Sequence, residues 1–165
     1  MPTLLLLRHA KSSWKDAGLE DHERPLNTRG RRDAPRVGEL LAELDLVPGV
    51  LIGSTATRVR ETVCAMVDRA GFGGEPVFDE SLYQAAPDRI VEVIRRHGAA
   101  KADRLMIVGH NPGIEDLVAH LTGEFHSMPT AALARIVLPI GTWNELRLES
   151  SGRLAGLWRP KELAG

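Results

Sequence analysis

Two apolar segments of this chain each end in a histidine. Leucines 4–7 run directly into Arg8 and His9, and the run at 104–109, which is apolar after Arg104, leads into His110. An arginine guanidinium matches the oxygens of a phosphate group with paired hydrogen bonds, and a neutral imidazole is a nucleophile. Arginine and histidine side by side therefore predict chemistry on a phosphoryl group.

A second arginine is expected at the same place. The apolar run 50–52 is followed by Ser54, and Arg58 comes in the first turn of the next predicted helix. Val59 and Val63 belong to the buried stripe of that helix, which leaves Arg58 outside the core. Helix N-termini add unpaired N–H groups and a partial positive charge, so the whole set favours a dianion.

The predicted reaction is an attack by His9 on phosphorus, followed by hydrolysis of the resulting phosphohistidine by water. Nearby arginines disfavour protonation of an imidazole, which keeps His9 available as a nucleophile. Arg8, Arg58 and His110 are expected to hold the equatorial oxygens, where charge lies in the transition state.

These side chains meet only if the runs that carry them are strands of one sheet. Short unbroken apolar runs are typical of strands buried on both faces, and open α/β sheets bind ligands at the carboxyl ends of their strands. Ser54 and Asn111 stand at two of these ends and are therefore candidates for substrate binding. A polar loop at about 10–25 is long enough to contribute as well.

The rest of the chain alternates strand and helix patterns and ends in an antiparallel tail. Helices are predicted after Asn27, after Ser54, from Pro87, and from Pro112 with Asn111 as its N-cap. Further strands are predicted at 76–78, 134–139, 145–148 and 153–158, the last two forming a hairpin. We therefore expect one domain over residues 1–165 with an α/β three-layer sandwich fold. Its central sheet is mostly parallel, with helices on both faces and an antiparallel C-terminal portion.

Composition excludes several classes of protein. The chain has 165 residues and a net charge of −1, which gives no electrostatic case for binding nucleic acid or an anionic membrane. The apolar start is cut by Arg8 and His9, too early for a membrane span. Cys64 is the only cysteine, which excludes an internal disulfide and favours a reducing, cytoplasmic location.

Five segments together resemble a known family. Residues 6–10 (Leu-Leu-Arg-His-Ala), 54–62 and 108–112 (Val-Gly-His-Asn-Pro) are similar to the signatures of the histidine phosphatase superfamily, which includes the cofactor-dependent phosphoglycerate mutases. Residues 24–30 and 80–83, with the short chain, resemble its SixA-type branch, the phosphohistidine phosphatases. The elements occur in the expected order along the chain.

The resemblance implies that His9 is the nucleophile, that Arg8, Arg58 and His110 form the phosphate pocket, and that Arg24 is a further substrate contact. It implies the α/β sandwich of that superfamily and no metal or other cofactor. Independently, the two arginines would repel a cation, and the histidines lack the tight spacing typical of metal ligands.

One position departs from the family pattern. Many relatives carry a glutamate proton donor where this chain has Gln84, and an amide cannot act as a general acid. Alcohol phosphates need that donor because alkoxides leave poorly, whereas a phosphohistidine P–N bond needs it less. The substitution therefore favours phosphoramidate hydrolysis over a mutase, with Asp21 and Asp16 as candidate substitute acids.

The sequence thus predicts a phosphohydrolase with a covalent His9 intermediate that acts on phosphohistidine in a phosphorylated protein. A phosphatase of small phosphorylated metabolites is the alternative enzyme. A non-catalytic module that binds phosphate or phosphoprotein is the alternative outside enzymes.

Overall fold

The leucine run near the N-terminus forms the centre of the sheet. In the computed structural model, which describes residues 1–98 and 102–163, strand β1 (Thr3–Arg8) pairs in parallel with β4 (Arg104–Gly109). On its other side β1 pairs antiparallel with β5 (Leu133–Val137). Leucines 4–7 are fully buried, as expected for a strand covered on both faces.

Six strands complete the sheet in the order β3-β2-β4-β1-β5-β6. Strands β2 (Val50–Gly53) and β3 (Val77–Phe78) extend the parallel half, and β6 (Arg153–Trp158) adds antiparallel to β5. The predicted mostly parallel sheet with an antiparallel C-terminal portion is therefore confirmed.

Alternate leucines of β1 face two different cores. Leu5 and Leu7 pack in the core formed with helices α1 (Thr28–Glu43) and α2 (Thr57–Ala70). Leu4 and Leu6 pack in the second core, with α3 (Pro87–His97) and α4 (Gly113–Thr122). A single turn, α5 (Pro160–Leu163), follows β6. In the described part of the chain, no helix has the length and apolarity that crossing a bilayer requires.

The start of α1 fixes the loop that precedes it. Asn27 caps the helix by accepting a hydrogen bond from the N–H of Gly30, as predicted. A Cβ on Gly30 would lie 2.1 Å from the carbonyl oxygen of Lys11, so only glycine allows this approach. Pro35 lies within α1 and does not end it.

Two local predictions were wrong. Helix α4 begins at Gly113 with Pro112 as the N-cap residue, one position later than predicted, although Asn111 Oδ1 still accepts the N–H of Glu115 at 3.3 Å. Residues 145–148 do not form a strand, and β6 pairs with β5 instead. The Glu145 carboxylate binds the N–H groups of the two residues before Trp143, which holds Trp143–Glu145 in a 3-10 helix.

Candidate active site

A cavity of about 250 Å³ opens where β1 and β4 end. Most of the side chains predicted to act on phosphate line it, namely Arg8, His9, Arg24, Arg58, His110 and Asn111, together with Asp21. Neither Ser54 nor Asp16 is among the described residues that line the cavity. The segments that meet here are far apart in sequence and are brought together by the parallel pairing of β1, β4 and β2.

His9 has one ring nitrogen tied to the backbone and the other directed at an arginine. Its Nδ1 lies 2.7 Å from the carbonyl oxygen of Ala10, which can only accept, so Nδ1 carries the proton. The unprotonated Nε2 lies 3.4 Å from Nε of Arg58. Burial, assisted by the charges of Arg58 and Arg8, lowers the pKa of His9 to about 4, against the raising effect of the Ala10 hydrogen bond. The ring is therefore neutral, with a free lone pair on Nε2.

His110 stands beside His9, with ring centroids 5.2 Å apart. Its Nδ1 lies 3.3 Å from Nη2 of Arg58, and because a guanidinium only donates, Nδ1 is the unprotonated nitrogen. Nε2 then donates to the hydroxyl of Ser54 at 2.7 Å. Burial, followed by the proximity of His9 and Arg58, lowers the pKa of His110 to about 3.

Ser54 lies behind His110 rather than in the cavity. Its side chain has no exposed surface, and its oxygen also lies 3.4 Å from the N–H of Ala56. The sequence correctly places Ser54 at the end of β2 but does not reveal which way its side chain points. Its contact with His110 makes it a positioning residue, and it has no surface to offer a substrate.

Arg58 is the residue that joins the parts of the site. It is 5% exposed and also donates to Asp21, to the carbonyl oxygen at 2.6 Å and to Oδ2 at 3.0 Å. Thr62, one turn later in α2, donates to the carbonyl of Arg58 at 2.7 Å and accepts the N–H of Ala10 at 3.1 Å. This hydroxyl ties the loop after β1 to α2 and so holds His9 and Arg58 in register.

Asp21 is the common acceptor of a second hydrogen-bond network on the cavity wall. Its Oδ2 accepts from Tyr83 Oη at 2.5 Å and from Gln84 Nε2 at 3.3 Å, and its Oδ1 accepts from Arg24 Nη1 at 2.9 Å. Hydrogen bonds from Tyr83 and then from Arg58 lower the pKa of Asp21 to about 2, so this carboxyl is ionised.

Arg24 is held in place from several sides. It is 6% exposed and donates to Ser12 Oγ at 2.5 Å and to the carbonyl of Ser13 at 3.0 Å. The exposed ring of Trp14 covers it, with the guanidinium carbon 3.1 Å from the ring centroid. Asp16 accepts the N–H of Gly18 within the exposed loop and takes no part in this network.

Arg8 and Asn111 share a backbone acceptor. Arg8 Nη1 and Asn111 Nδ2 both donate to the carbonyl oxygen of Met128, at 3.2 and 2.8 Å. The Nε of Arg8 is buried and has no hydrogen-bond partner among the described residues. A buried unpaired N–H at a cavity wall favours an anion as its partner. Both polar atoms of Asn111 are already bonded to the backbone.

Sequence reasoning missed the roles of Thr62 and Tyr83. Thr62 is recognisable only from its contact with Ala10, 52 positions away. Tyr83, the only tyrosine of the chain, lies in the segment 80–83 that resembles the SixA-type branch, but nothing in the sequence pairs it with Asp21. No group of three metal-ligating side chains occurs within the described ranges.

Comparisons with known proteins identify the family of this chain. The model of the "Histidine phosphatase superfamily (branch 1)" matches residues 4–83. An uncharacterized chloroplastic protein of Arabidopsis thaliana is 34% identical over 168 residues, which cover 95% of this chain and 77% of the relative.

Two solved structures share the fold over nearly the whole chain. A protein of Agrobacterium tumefaciens assigned to the phosphohistidine phosphatase SixA superposes with a TM-score of 0.81 and 28% identity, covering 97% of this chain and 99% of its own. The protein histidine phosphatase SixA in complex with tungstate has a TM-score of 0.83 at 18% identity, covering 98% of this chain and 99% of its own. The second likeness is one of fold alone.

Proposed function

Since the chain belongs to the histidine phosphatase superfamily and is a phosphatase of the SixA type, we propose that it hydrolyses phosphohistidine on cytoplasmic proteins through a covalent intermediate on His9. Asp21, the one carboxylate among the described residues that line the cavity, is held ionised by ion pairs with Arg24 and Arg58, and these pairs carry the proposal. Gln84, at the position where many relatives have their acid, offers only an amide that donates to Asp21.

His9 attacks phosphorus with the lone pair on Nε2. The Ala10 carbonyl holds the proton on Nδ1, so the ring is in the correct tautomer before substrate arrives. A bond forms between Nε2 and phosphorus as the bond from phosphorus to the substrate nitrogen breaks. Water then attacks phosphorus and breaks its bond to Nε2, which releases dihydrogen phosphate and returns His9 to its neutral form.

The positive groups of the cavity hold the three equatorial oxygens. The unpaired Nε–H of Arg8 and the guanidinium of Arg58 donate to them, and Arg24 provides a further contact. At rest the Nε2–H of His110 donates to Ser54, and its Nδ1 accepts from Arg58. His110 therefore donates to phosphate only after these hydrogen bonds rearrange. These donors favour the charge that develops in the transition state.

Phosphohistidine is the substrate class that best tolerates the absence of an acid. A phosphorylated imidazole can carry a proton on its second ring nitrogen, so it departs as a neutral ring without a donor from the enzyme. An alkyl phosphate departs as an alkoxide and requires one. The size of the cavity agrees, because about 250 Å³ holds a phosphoryl group and the adjoining ring but is below the usual range for pockets that enclose a whole metabolite.

The alternative substrate is a small phosphorylated metabolite, for which Asp21 would have to act as the acid. Bound phosphate would compete with Asp21 for Arg24 and Arg58, and the loss of both ion pairs would raise the pKa of this carboxyl. That observation keeps a phosphomonoesterase as the second candidate.

The deciding experiment compares a phosphohistidine peptide with an alkyl phosphate such as β-glycerophosphate. We expect kcat/KM for the alkyl ester to be lower by a factor of at least ~10², the usual contribution of a general acid. Equal or faster hydrolysis of the alkyl ester would favour the phosphomonoesterase. A rapid-quench assay of the His110→Ala variant should trap acid-labile phosphate on His9. A protein that binds phosphate but never labels His9 would be a binding module.

A further inference from the structure

An arginine-rich surface lies at the start of α1, beside α5. Arg29, Arg32, Arg36 and Lys161 line a cleft of about 200 Å³ together with Asp33 and Pro160. We call these four basic residues the basic surface. The proposed mechanism makes no use of any of them.

The basic surface carries far more positive charge than the chain as a whole. Residues 28–36 contain four arginines and one aspartate, a net charge of +3 in a protein whose total is −1. The single aspartate, Asp33, is 2% exposed, whereas the side chains of Arg29, Arg32 and Arg36 are 43%, 60% and 35% exposed. The surface that a partner would contact is therefore almost purely positive.

The hydrogen-bond donors of the basic surface remain largely unused. The three arginines stand 3.6–3.9 Å from Asp33, too far for hydrogen bonds, and both carboxylate oxygens of Asp33 lack a partner among the described residues. One buried charge shared by three guanidinium groups leaves most of their N–H groups free for an external acceptor.

The stability of α1 does not explain this arrangement. The N-terminal end of a helix carries a partial positive charge, and its first turn here has no acidic residue. Arg29 and Arg31, which lie in that turn, therefore weaken the helix, and one carboxylate, Asp33, is too little to balance Arg29, Arg32 and Arg36. A binding role accounts for positive charge that intrahelical electrostatics disfavours.

The basic surface adjoins the mouth of the active site. The first turn of α1 packs on the backbone of Lys11, whose side chain lines the catalytic cavity. α5 follows Trp158, which pairs with Leu133, and Leu133 pairs with Leu7 just before Arg8. Both walls of the cleft thus lie at the end of the sheet where β1 finishes and His9 follows.

We propose that the basic surface binds an acidic segment of the substrate protein and so directs its phosphohistidine to His9. This inference rests on the proposed function. Arg29, Arg32 and Arg36 recur at the i, i+3 and i+7 positions of one helix face, a line of about 10 Å at 1.5 Å per residue. A line of this length matches several carboxylates spread along a polypeptide better than one small anion.

The test uses two synthetic phosphohistidine peptides of equal length, one with glutamates flanking the phosphorylated residue and one with glutamines in their place. For the wild-type protein at low salt we expect kcat/KM to be roughly three- to tenfold higher for the glutamate peptide, the effect of one or two exposed ion pairs. The preference should disappear at high salt. This measurement needs no variant.

The variant Arg32→Gln/Lys161→Gln removes charge while Arg29 and Arg36 still offset Asp33. It should lose the preference for the glutamate peptide and hydrolyse phosphoramidate at the wild-type rate. The matched control, Arg95→Gln/Arg153→Gln, removes two exposed charges elsewhere and should keep the preference. Arg153 lies at the start of β6, at the opposite end of the strand from α5.

Each contrary outcome is distinct. Equal hydrolysis of the two peptides by the wild-type protein would overturn this inference alone. Failure to hydrolyse either peptide would overturn the proposed function and this inference with it. Stronger competition by a short oligonucleotide than by the unphosphorylated glutamate peptide would assign the basic surface to nucleic acid instead.

Discussion

The Nε of Arg58 lies 3.4 Å from the Nε2 of His9, so the guanidinium is directed at the nitrogen with the free lone pair. The same side chain reaches His110 and Asp21 through its terminal nitrogens. Arg58 therefore sits at the centre of the site, where one phosphoryl group can touch the nucleophile and the guanidinium together. An incoming dianion would compete with Asp21 for Arg58.

The first prediction concerns Arg58. We expect Arg58→Ala to lower kcat by about 10²–10³-fold, the typical cost of removing a donor to the transition state. The matched control is Arg69→Ala, which removes an exposed arginine from the last turn of the same helix. Steady-state kinetics with phosphoramidate measures both variants. Nearly unchanged turnover for Arg58→Ala would contradict the proposed geometry.

The second prediction tests Ser54 as a positioning residue. Ser54→Ala removes the acceptor of the His110 Nε2–H, and the loss of one hydrogen bond should lower kcat roughly three- to tenfold with little change in KM. The specific readout is the ¹⁵N spectrum of the His110 ring, where protonation should shift from Nε2 towards a mixture of tautomers. Ser13→Ala is the control, because the half-buried Ser13 hydroxyl bonds the N–H of Lys15 and not His110. An unchanged spectrum would indicate that the contact does not set the tautomer.

The third prediction restores a carboxyl at the position of Gln84. In Gln84→Glu the new group lies beside Asp21, and a second carboxyl next to an ionised one has a raised pKa, so it can hold a proton. Hydrolysis of β-glycerophosphate should therefore rise by roughly tenfold or more, while phosphoramidate hydrolysis changes little. Gln84→Ala serves as the control for loss of the amide. Equal effects on both substrates would show that the acid is not what limits alkyl ester hydrolysis.

The sequence was most informative where one physical cause dominates. Apolar runs that must be buried fix β1 and β4, and parallel pairing then forces Arg8, His9 and His110 to one edge. The capping of α1 by Asn27 was equally predictable, because it depends only on residues that are close in sequence. Residues 145–148 were wrongly predicted because their alternating pattern fits a strand. Instead, the Glu145 carboxylate accepts hydrogen bonds from two backbone N–H groups just before it, which favour a 3-10 helix.

The wall of the site was less predictable because it depends on long-range contacts. Asp21 was recognised as a candidate acid, but its ionised state follows from Tyr83, 62 positions away, and from Arg58, 37 positions away. Ser54 was placed at the correct strand end, but the direction of its side chain depends on where His110 lies. Such pairings are properties of the packed fold and leave no periodic signal in the chain.

The last prediction links the neutral histidines to stability. Buried His9 and His110 have pKa values of about 4 and about 3, whereas an unfolded histidine titrates near 6.5. The folded state thus binds fewer protons between these values, so the free energy of unfolding is fully retained above pH 6.5 and falls as the pH drops towards 4. At pH 5.5 each histidine should lower the free energy of unfolding by roughly 1 kcal/mol relative to pH 7.5.

Denaturant unfolding of the wild type and of His9→Gln/His110→Gln at these two pH values measures the effect. The variant should lose roughly 2–3 kcal/mol less than the wild type between pH 7.5 and 5.5, whatever its stability at either pH, because glutamine does not titrate. Asp21 does not contribute in this window, since its folded pKa of about 2 lies below its unfolded value and its effect is lost only in stronger acid. Equal losses in the two proteins would mean that His9 and His110 titrate in the folded state as they do in the unfolded state, and burial would not be what keeps the nucleophile neutral.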